Sequence, residues 1–518
     1  MLKEKYFINF LPFFICLIYF FYGFWHIPLF PPDEPKYTFA AMKMLESGDY
    51  LTPYFNCKLR LEKPIFTYWA IALSYKIFDI SDWSARIPTV ILMSSLLITL
   101  FFIVKREFNI RIALISTLFF TTNFQIYIYS KAVVPEPFLL VFNTLSTFSF
   151  YFGIRNNSKK HILLGYLFSG LAFLTKGPLG IVIPFGINIP YFFVKKGFKE
   201  GVRPLFNIYG FLLFIAINMP WYGMMIKIHG MQFINEFFIL HNLKRFSGSA
   251  AMHLYPFYYY IPVVLLSLFF WLAYLPKFIK YLFSPKFNDM EKFLFWWMIF
   301  VFLFFSFSKN KLHHYIIIIH PAMSILMALC FDKIEDKKLF SNITLLTLLI
   351  FEIGFLFLGK KFYSNFDYNF FNILLFFLPI STLLLLLSNN FFDKKITFSI
   401  NLLCFFIFTC FIIHYSQTIK TKTMPQYNIV KTALEGKALI SYKRDSEDIN
   451  FYANVCSSKI DSLNELNELI NEKIPFLLVV HEKHLKEIKD YEYNVIAKTT
   501  TIKNVDWYVL EIISTQLN

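Results

Sequence analysis

The residues able to do chemistry begin just beyond the first apolar stretch of the chain. Asp33-Glu34-Pro35-Lys36-Tyr37 sets two carboxylates, an ammonium and a phenol side by side, and Glu62-Lys63-Pro64 adds a second acid–base couple to the same polar segment. Other polar residues recur between later apolar runs. They are Lys131 and Glu136 (the latter between two prolines), Lys176, then His229, His241, Lys244, Arg245 and His253, and finally Lys309, Lys311, His313, His314 and Tyr315. Ionisable groups beside a bilayer are costly and usually have a use. Cations there suit a lipid phosphate that gains charge as it leaves. A carboxylate within hydrogen-bond reach of an acceptor hydroxyl can take its proton. Plainer uses compete: a single lysine such as Lys63 can merely snorkel, Asp33 can cap a helix, and His241 and His253 suit structural roles.

The elements that must position these residues are membrane spans. The chain has 518 residues, 57% of them hydrophobic, 69 of them Phe and only 16% charged. A soluble domain has roughly 25% charged residues. Apolar runs long enough to cross a bilayer are predicted near 6–27, 86–104, 111–129, 137–154, 161–175, 177–194, 204–222, 256–276, 292–308, 314–331, 339–358, 369–388 and 396–416, about 13 spans in all. The stretch 65–80 is short and carries Lys76; it reads as a helix lying in the interface with Tyr68, Trp69 and Tyr75 as anchors. With that choice Lys105-Arg106, Lys159-Lys160, Lys195-Lys196, Lys277 to Lys292 and Lys337-Lys338 all fall on one side, the positive-inside pattern. Segments 28–85, 130–136, 223–255 and 309–313 then share the outer face. The net charge of +16 is thus explained by orientation signals, and nucleic acid is not implied. The basic start followed by an apolar run without a small-residue cleavage site reads as a retained signal anchor. The six cysteines are scattered without metal-ligand spacing, and no disulfide framework is expected.

From about Thr421 the composition becomes mixed and charged. Strands are predicted at 437–442, 475–480 and 505–512, with helices at 462–469 and 482–488. The expectation is a polytopic α-helical membrane protein (residues 1–418, with interfacial helices in the first outer loop 28–85) followed by a small soluble α/β domain (419–518) on the outer face. No glycine-rich nucleotide motif is present, so no nucleotide cofactor is expected.

Pro32-Asp33-Glu34-Pro35-Lys36-Tyr37, Met44 to Pro53, Leu61-Glu62-Lys63-Pro64 and Ser84-Ala85-Arg86-Ile87-Pro88 resemble the first outer loop of bacterial aminoarabinose transferases. These are relatives of the protein O-mannosyltransferases within the glycosyltransferase C superfamily. Leu174-Thr175-Lys176-Gly177-Pro178 and Ser308-Lys309-Asn310-Lys311-Leu312, with Tyr315 and Pro321, extend the likeness over residues 1–330. The resemblance implies an inverting transfer of a sugar from undecaprenyl or another polyprenyl phosphate, outside the inner membrane. It implies Asp33 as base or acceptor-orienting carboxylate, with Glu34 beside it as a second catalytic candidate. Lys63 and Arg245 are implied to grip the lipid phosphate and Tyr315 to hydrogen-bond it, with Lys36, Tyr37 and Lys176 completing the donor site. Glu62 and Glu136 match cavity carboxylates that hold a divalent metal in a relative. Lys36 stands where relatives usually carry Arg, which removes a bidentate contact. Glu136 stands where many have Asp, and His313 and His314 lie outside the usual pattern.

The expected function is transfer of a sugar, an amino sugar being one candidate, to lipid A or a related envelope glycolipid at the periplasmic face of the inner membrane. The alternative is the same chemistry on protein hydroxyls. A transporter or flippase would place charges at mid-membrane, whereas the polar residues here gather at one face.

Overall fold

The computed structural model describes residues 10–248, 253–283, 287–334, 394–500 and 506–515. The expected spans at 339–358 and 369–388 lie outside them. Among the described residues seven helices are long and apolar enough to cross a membrane: Asp82–Glu107, Pro135–Arg155, Leu179–Leu205, Ile208–Lys244, Asp289–Phe307, His313–Lys333 and Thr397–Ala433. An eighth crossing is made if Phe257–Ser267 and Phe269–Leu282, bent by 95° against each other, are counted as one. Other expected spans form shorter helices. The run at 111–129 is broken where Asn123 turns its side chain back to accept hydrogen bonds from the backbone N–H groups of Gln125 (3.1 Å) and Ile126 (3.2 Å). That is an N-cap, and it starts a new helix inside the apolar stretch.

Two predicted outer segments are more ordered than their polarity suggests. The stretch after 223 stays helical: Ile208–Phe233 bends at Gly230 (φ 53°, ψ −134°) and passes into the helix Ile234–Lys244. The 37 residues of Ile208–Lys244 would measure about 55 Å at the α-helical rise, far beyond the ~30 Å hydrocarbon layer. The segment beyond the bend at Gly230 carries His241 and ends at Lys244, directly before Arg245. The helix Phe66–Phe78 has 13 residues, too few to span. Its Leu73 and Ile77 are exposed, as an interfacial face requires. Tyr68 and Tyr75, expected at the interface, are instead fully buried against the helix Asp33–Ser47, and only Trp69 sits at the edge, donating to the Tyr50 carbonyl at 2.7 Å.

The C-terminal part forms a five-stranded sheet. Strands are numbered along the chain: β1 Tyr54–Phe55 and β2 Lys58–Leu59 make a hairpin in the first loop, and β3 Ala438–Tyr442, β4 Ser457–Ile460, β5 Phe476–His481, β6 Tyr491–Thr500 and β7 Asp506–Thr515 follow. The order is β4-β3-β5-β7-β6, with β3 parallel to β4 and β5, and β7 antiparallel to β5 and β6. Central β5 is buried along its whole length. Its Leu477 and Val479 face Tyr427 and Val430 of the long helix Lys394–Ala433, while Leu478 and Val480 face Leu466 and Ile488. One strand with two apolar faces is what a strand covered on both sides requires. The expected segment 482–488 is a 3-10 helix, whereas β4, β6 and the short helix Glu447–Ala453 carried no clear sequence pattern. The long helix also runs unbroken through 418/419.

A disulfide joins Cys57 to Cys456, contrary to the expectation of unpaired cysteines. Its two halves lie 399 residues apart, so spacing along the chain carried no signal. Asn56 (φ 52°) and Cys57 (φ 59°) both adopt left-handed backbone, the conformation a two-residue hairpin turn demands. Non-glycine residues hold it at a cost of about 1–2 kcal/mol each. Asn56 also exchanges two hydrogen bonds with the Ser457 backbone, at 2.7 and 2.6 Å. Lys43 and Glu46 bond Asn454, and the Tyr452 hydroxyl accepts from Leu29 N–H. The C-terminal domain is thereby fastened to the first loop. Alkylating the unfolded, unreduced protein should modify four cysteines, Cys16, Cys330, Cys404 and Cys410, and reduction should expose Cys57 and Cys456; six labelled cysteines before reduction would contradict the clasp.

Candidate functional site

The helix Asp33–Ser47 is capped by Pro32 without a side-chain hydrogen bond. Asp33 therefore does not serve as the cap: it sits in the first turn, exposed, where a carboxylate is favoured by the helix dipole. Glu34 is different. It is 5% exposed, pairs with Arg86 at 2.6 Å, and accepts from the backbone N–H groups of Phe30 (2.7 Å) and Val133 (2.8 Å). Arg86, itself 1% exposed, also donates to the carbonyls of Pro28 and Asp82. The expected catalytic part for Glu34 is corrected accordingly: its oxygens are taken up in tying the first loop to the helix Asp82–Glu107. Lys36 points away from a donor site, reaching Glu447 of the C-terminal domain at 3.5 Å. Tyr37 is buried, its ring 5.3 Å from Tyr68 and 4.4 Å below the Arg60 guanidinium.

The remaining candidates converge. An open cavity is lined by Glu62 and Lys63 of the first loop, Lys176, His241 with Asn242 and Arg245, Ser308 with Asn310, and Tyr315. Four separate segments build it. Lys176 closes the helix Lys159–Lys176, where Gly177 takes φ 67° and turns the chain sharply. A Cβ at Gly177 would come within 2.8 Å of the Phe237 ring, so the turn is packed directly beneath Ile234–Lys244. The loops around 253 and 310 are stitched together, His253 N–H donating to Asn310 Oδ1 at 3.1 Å and Lys311 N–H to the His253 carbonyl at 3.0 Å. His253 is thus structural. His241, expected to be structural, lines the cavity instead, and its Nδ1 is buried without a partner.

Charge sets the character of the cavity. Lys63 is held down to about 8 by burial, then by the neighbouring cations Lys176 and Arg245, with Glu62 opposing. Burial disfavours the Glu62 carboxylate, but Arg60, Lys63, His241 and Arg245 outweigh it and keep the group ionised. Lys176 pairs with Glu136 at 2.6 Å and lies 4.7 Å over the Tyr315 ring. His314 Nε2 stands 3.2 Å from the same Glu136 oxygen. Glu136 is therefore engaged by Lys176 and His314. Among the described residues neither Glu136 nor Glu62 joins a group of three His, Cys, Asp or Glu that could hold a metal. Lys131 turns into the protein and donates to the Tyr22 carbonyl and the Tyr127 hydroxyl, both at 3.0 Å. Arg60 was missed by the sequence reading, because no simple pattern marks a buried arginine in a loop.

Glu34 and Asp33 should separate cleanly. Glu34→Ala leaves Arg86 buried and unpaired and is expected to cost about 3–5 kcal/mol, seen as a large fall in thermal midpoint or loss of folded protein. Asp33→Asn should leave the midpoint within a degree or two while abolishing activity. Equal thermal behaviour of the two variants would contradict the assignment.

Residues 62–223 match the family model described as dolichyl-phosphate-mannose-protein mannosyltransferase. An uncharacterised protein of Aquifex aeolicus (strain VF5) is 36% identical over 322 residues, covering 62% of this chain and 72% of that protein. The undecaprenyl phosphate-alpha-4-amino-4-deoxy-L-arabinose arabinosyl transferase 2 of Proteus mirabilis (strain HI4320) is 30% identical over 61% of this chain and 58% of its own length. The chain thus spans a little over half the length of that named relative. The fold is that of ArnT from Cupriavidus metallidurans, solved bound to undecaprenyl phosphate: TM-score 0.76 at 18% identity, covering 96% of this chain and 97% of that one. The chain is a multi-pass membrane protein that belongs to one family with the Aquifex aeolicus protein, matches the dolichyl-phosphate-mannose-protein mannosyltransferase family model over residues 62–223, and has the fold of ArnT.

Proposed function

We propose that the chain is an inverting glycosyltransferase that moves a sugar from undecaprenyl or a related polyprenyl phosphate to lipid A or a similar envelope glycolipid. The observation that carries this reading is the convergence of Lys63, Lys176, Arg245 and Tyr315 from four distant segments into one cavity. In the reaction the acceptor oxygen attacks the anomeric carbon, the bond from that carbon to the phosphate oxygen breaks, and the hydroxyl proton passes to the Asp33 carboxylate. The phosphate changes from a monoanion to a dianion as it leaves. Lys63, Arg245 and the Tyr315 hydroxyl are the groups that would stabilise this added charge, an effect available only in the transition state and product. Lys176, held by Glu136, sets the field behind them. The lipid phosphate activates the sugar by itself, so the step needs no nucleotide. The named relatives are arabinosyl transferases whose names carry undecaprenyl phosphate, which supports a lipid-linked donor.

The reading places about 13 spans in the bilayer, with residues 1–418 as the membrane transferase domain, 419–518 as an outer domain, and the cavity on the periplasmic side. The Cys57–Cys456 disulfide supports that side, because such bonds persist in the periplasm and not in the cytosol.

Mass spectrometry of lipid A after expression in a strain lacking the modification tests the function directly: a sugar-sized mass should appear, and be absent with Asp33→Asn or Lys63→Ala. Added mass on secreted proteins with lipid A unchanged would contradict it. A pH series tests Lys63. A phosphate binds its cationic form, so donor affinity should be constant below pH 7 and decline as pH rises through about 8. Lys63→Arg stays charged and should flatten that decline; an identical decline in the variant would rule Lys63 out as its source.

A further inference from the structure

Arg60, two residues before the cavity residue Glu62, is a buried charged group with most of its hydrogen bonds unmade. It is 6% exposed. Its backbone N–H is used, donating to the Pro53 carbonyl at 2.9 Å. Its Nε and Nη1 are buried without any hydrogen-bond partner, which leaves Nη2 as the open corner of the guanidinium. The group lies over the rings of Tyr37 (4.4 Å) and Tyr68 (5.9 Å), and the Tyr68 hydroxyl is also buried and unpaired. Two carboxylates of the candidate site, Glu62 and Asp33, are close enough to act on Arg60 electrostatically, yet among the described residues it makes no ion pair with either. A cation with unmade hydrogen bonds costs more than a neutral group left in that state. The aromatic pair fixes its position and does not supply acceptors.

The location indicates the ligand. Glu62-Lys63 follow Arg60 directly in the chain, and Lys63 opens onto the phosphate cavity. Arg60 precedes Glu62 in the chain on the side away from Lys63, and the Asp33 carboxylate acts on it electrostatically. In the proposed reaction the group between phosphate and base is the sugar. We propose that Arg60, with the Tyr68 hydroxyl, is a donor-sugar-binding residue. The sugar it accepts presents a hydroxyl or carboxylate oxygen to the guanidinium and not an ammonium. An ammonium has only donors to offer; it would leave Arg60 unpaired and add repulsion between like charges. This rests on the glycosyltransferase reading above and departs from the amino sugar in the names of the relatives.

The test uses the full chain in lipid nanodiscs with three synthetic donors: polyprenyl phosphate bearing a neutral hexose, a hexuronic acid, or 4-amino-4-deoxyarabinose. Transfer to lipid A is measured, together with binding of polyprenyl phosphate that carries no sugar. The wild-type protein should prefer the neutral or acidic donor in kcat/KM by about tenfold or more, the scale of one charge-assisted hydrogen bond. R60Q should erase that preference and leave binding of the sugar-free lipid within about twofold, since Arg60 is not among the residues that line the phosphate cavity. An amino-sugar donor used as well as the others would overturn the proposal, and so would an R60Q defect equal for sugar-free lipid and donor. The wild-type comparison decides even if R60Q does not fold. Failure of wild-type protein to bind sugar-free polyprenyl phosphate would instead overturn the transferase reading beneath it.

Discussion

Repulsion among cations brought into one cavity is the constraint on which the site depends. Lys63, Lys176 and Arg245 reach one cavity, and burial adds to the cost of keeping them charged. The protein offsets part of this internally: Glu136 takes Lys176, and Glu62 stands beside Lys63 and Arg245. The remainder is available to an anion. A phosphate entering the cavity is drawn in by charges whose geometry is already fixed, which is the form of preorganisation that favours charge developing during reaction.

Fixing those charges needs rigid supports, and the fold supplies them by clamping outer segments to one another. The buried Glu34–Arg86 pair ties the first loop to a spanning helix. The His253–Asn310 contacts join two later loops. The Cys57–Cys456 disulfide, the Asn56–Ser457 hydrogen bonds and the Lys36–Glu447 pair fasten the C-terminal sheet to the loop that bears Asp33, Arg60 and Lys63. The outer domain in this view acts as a brace, holding the hairpin next to the catalytic candidates in a left-handed turn it would not adopt cheaply alone.

Much of this was legible in the sequence, for identifiable reasons. Spans were readable because lipid imposes long apolar runs. Lys63, Arg245 and Tyr315 were readable because short motifs around them resemble a family. Glu34 misled because a sequence does not tell a carboxylate facing a cavity from one consumed by Arg86 and two backbone N–H groups; both sit beside Asp33. Lys36 misled for the same reason, its partner Glu447 lying over 400 residues away along the chain. The disulfide and Arg60 were invisible because each is defined by tertiary contact: one by a partner, the other by the lack of one.

The central claim is that the converging cations hold a lipid phosphate. A cryo-electron microscopy structure of the chain in nanodiscs with undecaprenyl phosphate examines this most directly. The account predicts phosphate density within hydrogen-bonding distance of Lys63 Nζ, the Arg245 guanidinium and the Tyr315 hydroxyl, on the same side of the membrane as the Cys57–Cys456 bond. Phosphate density bound elsewhere, with these three side chains unengaged, would contradict it.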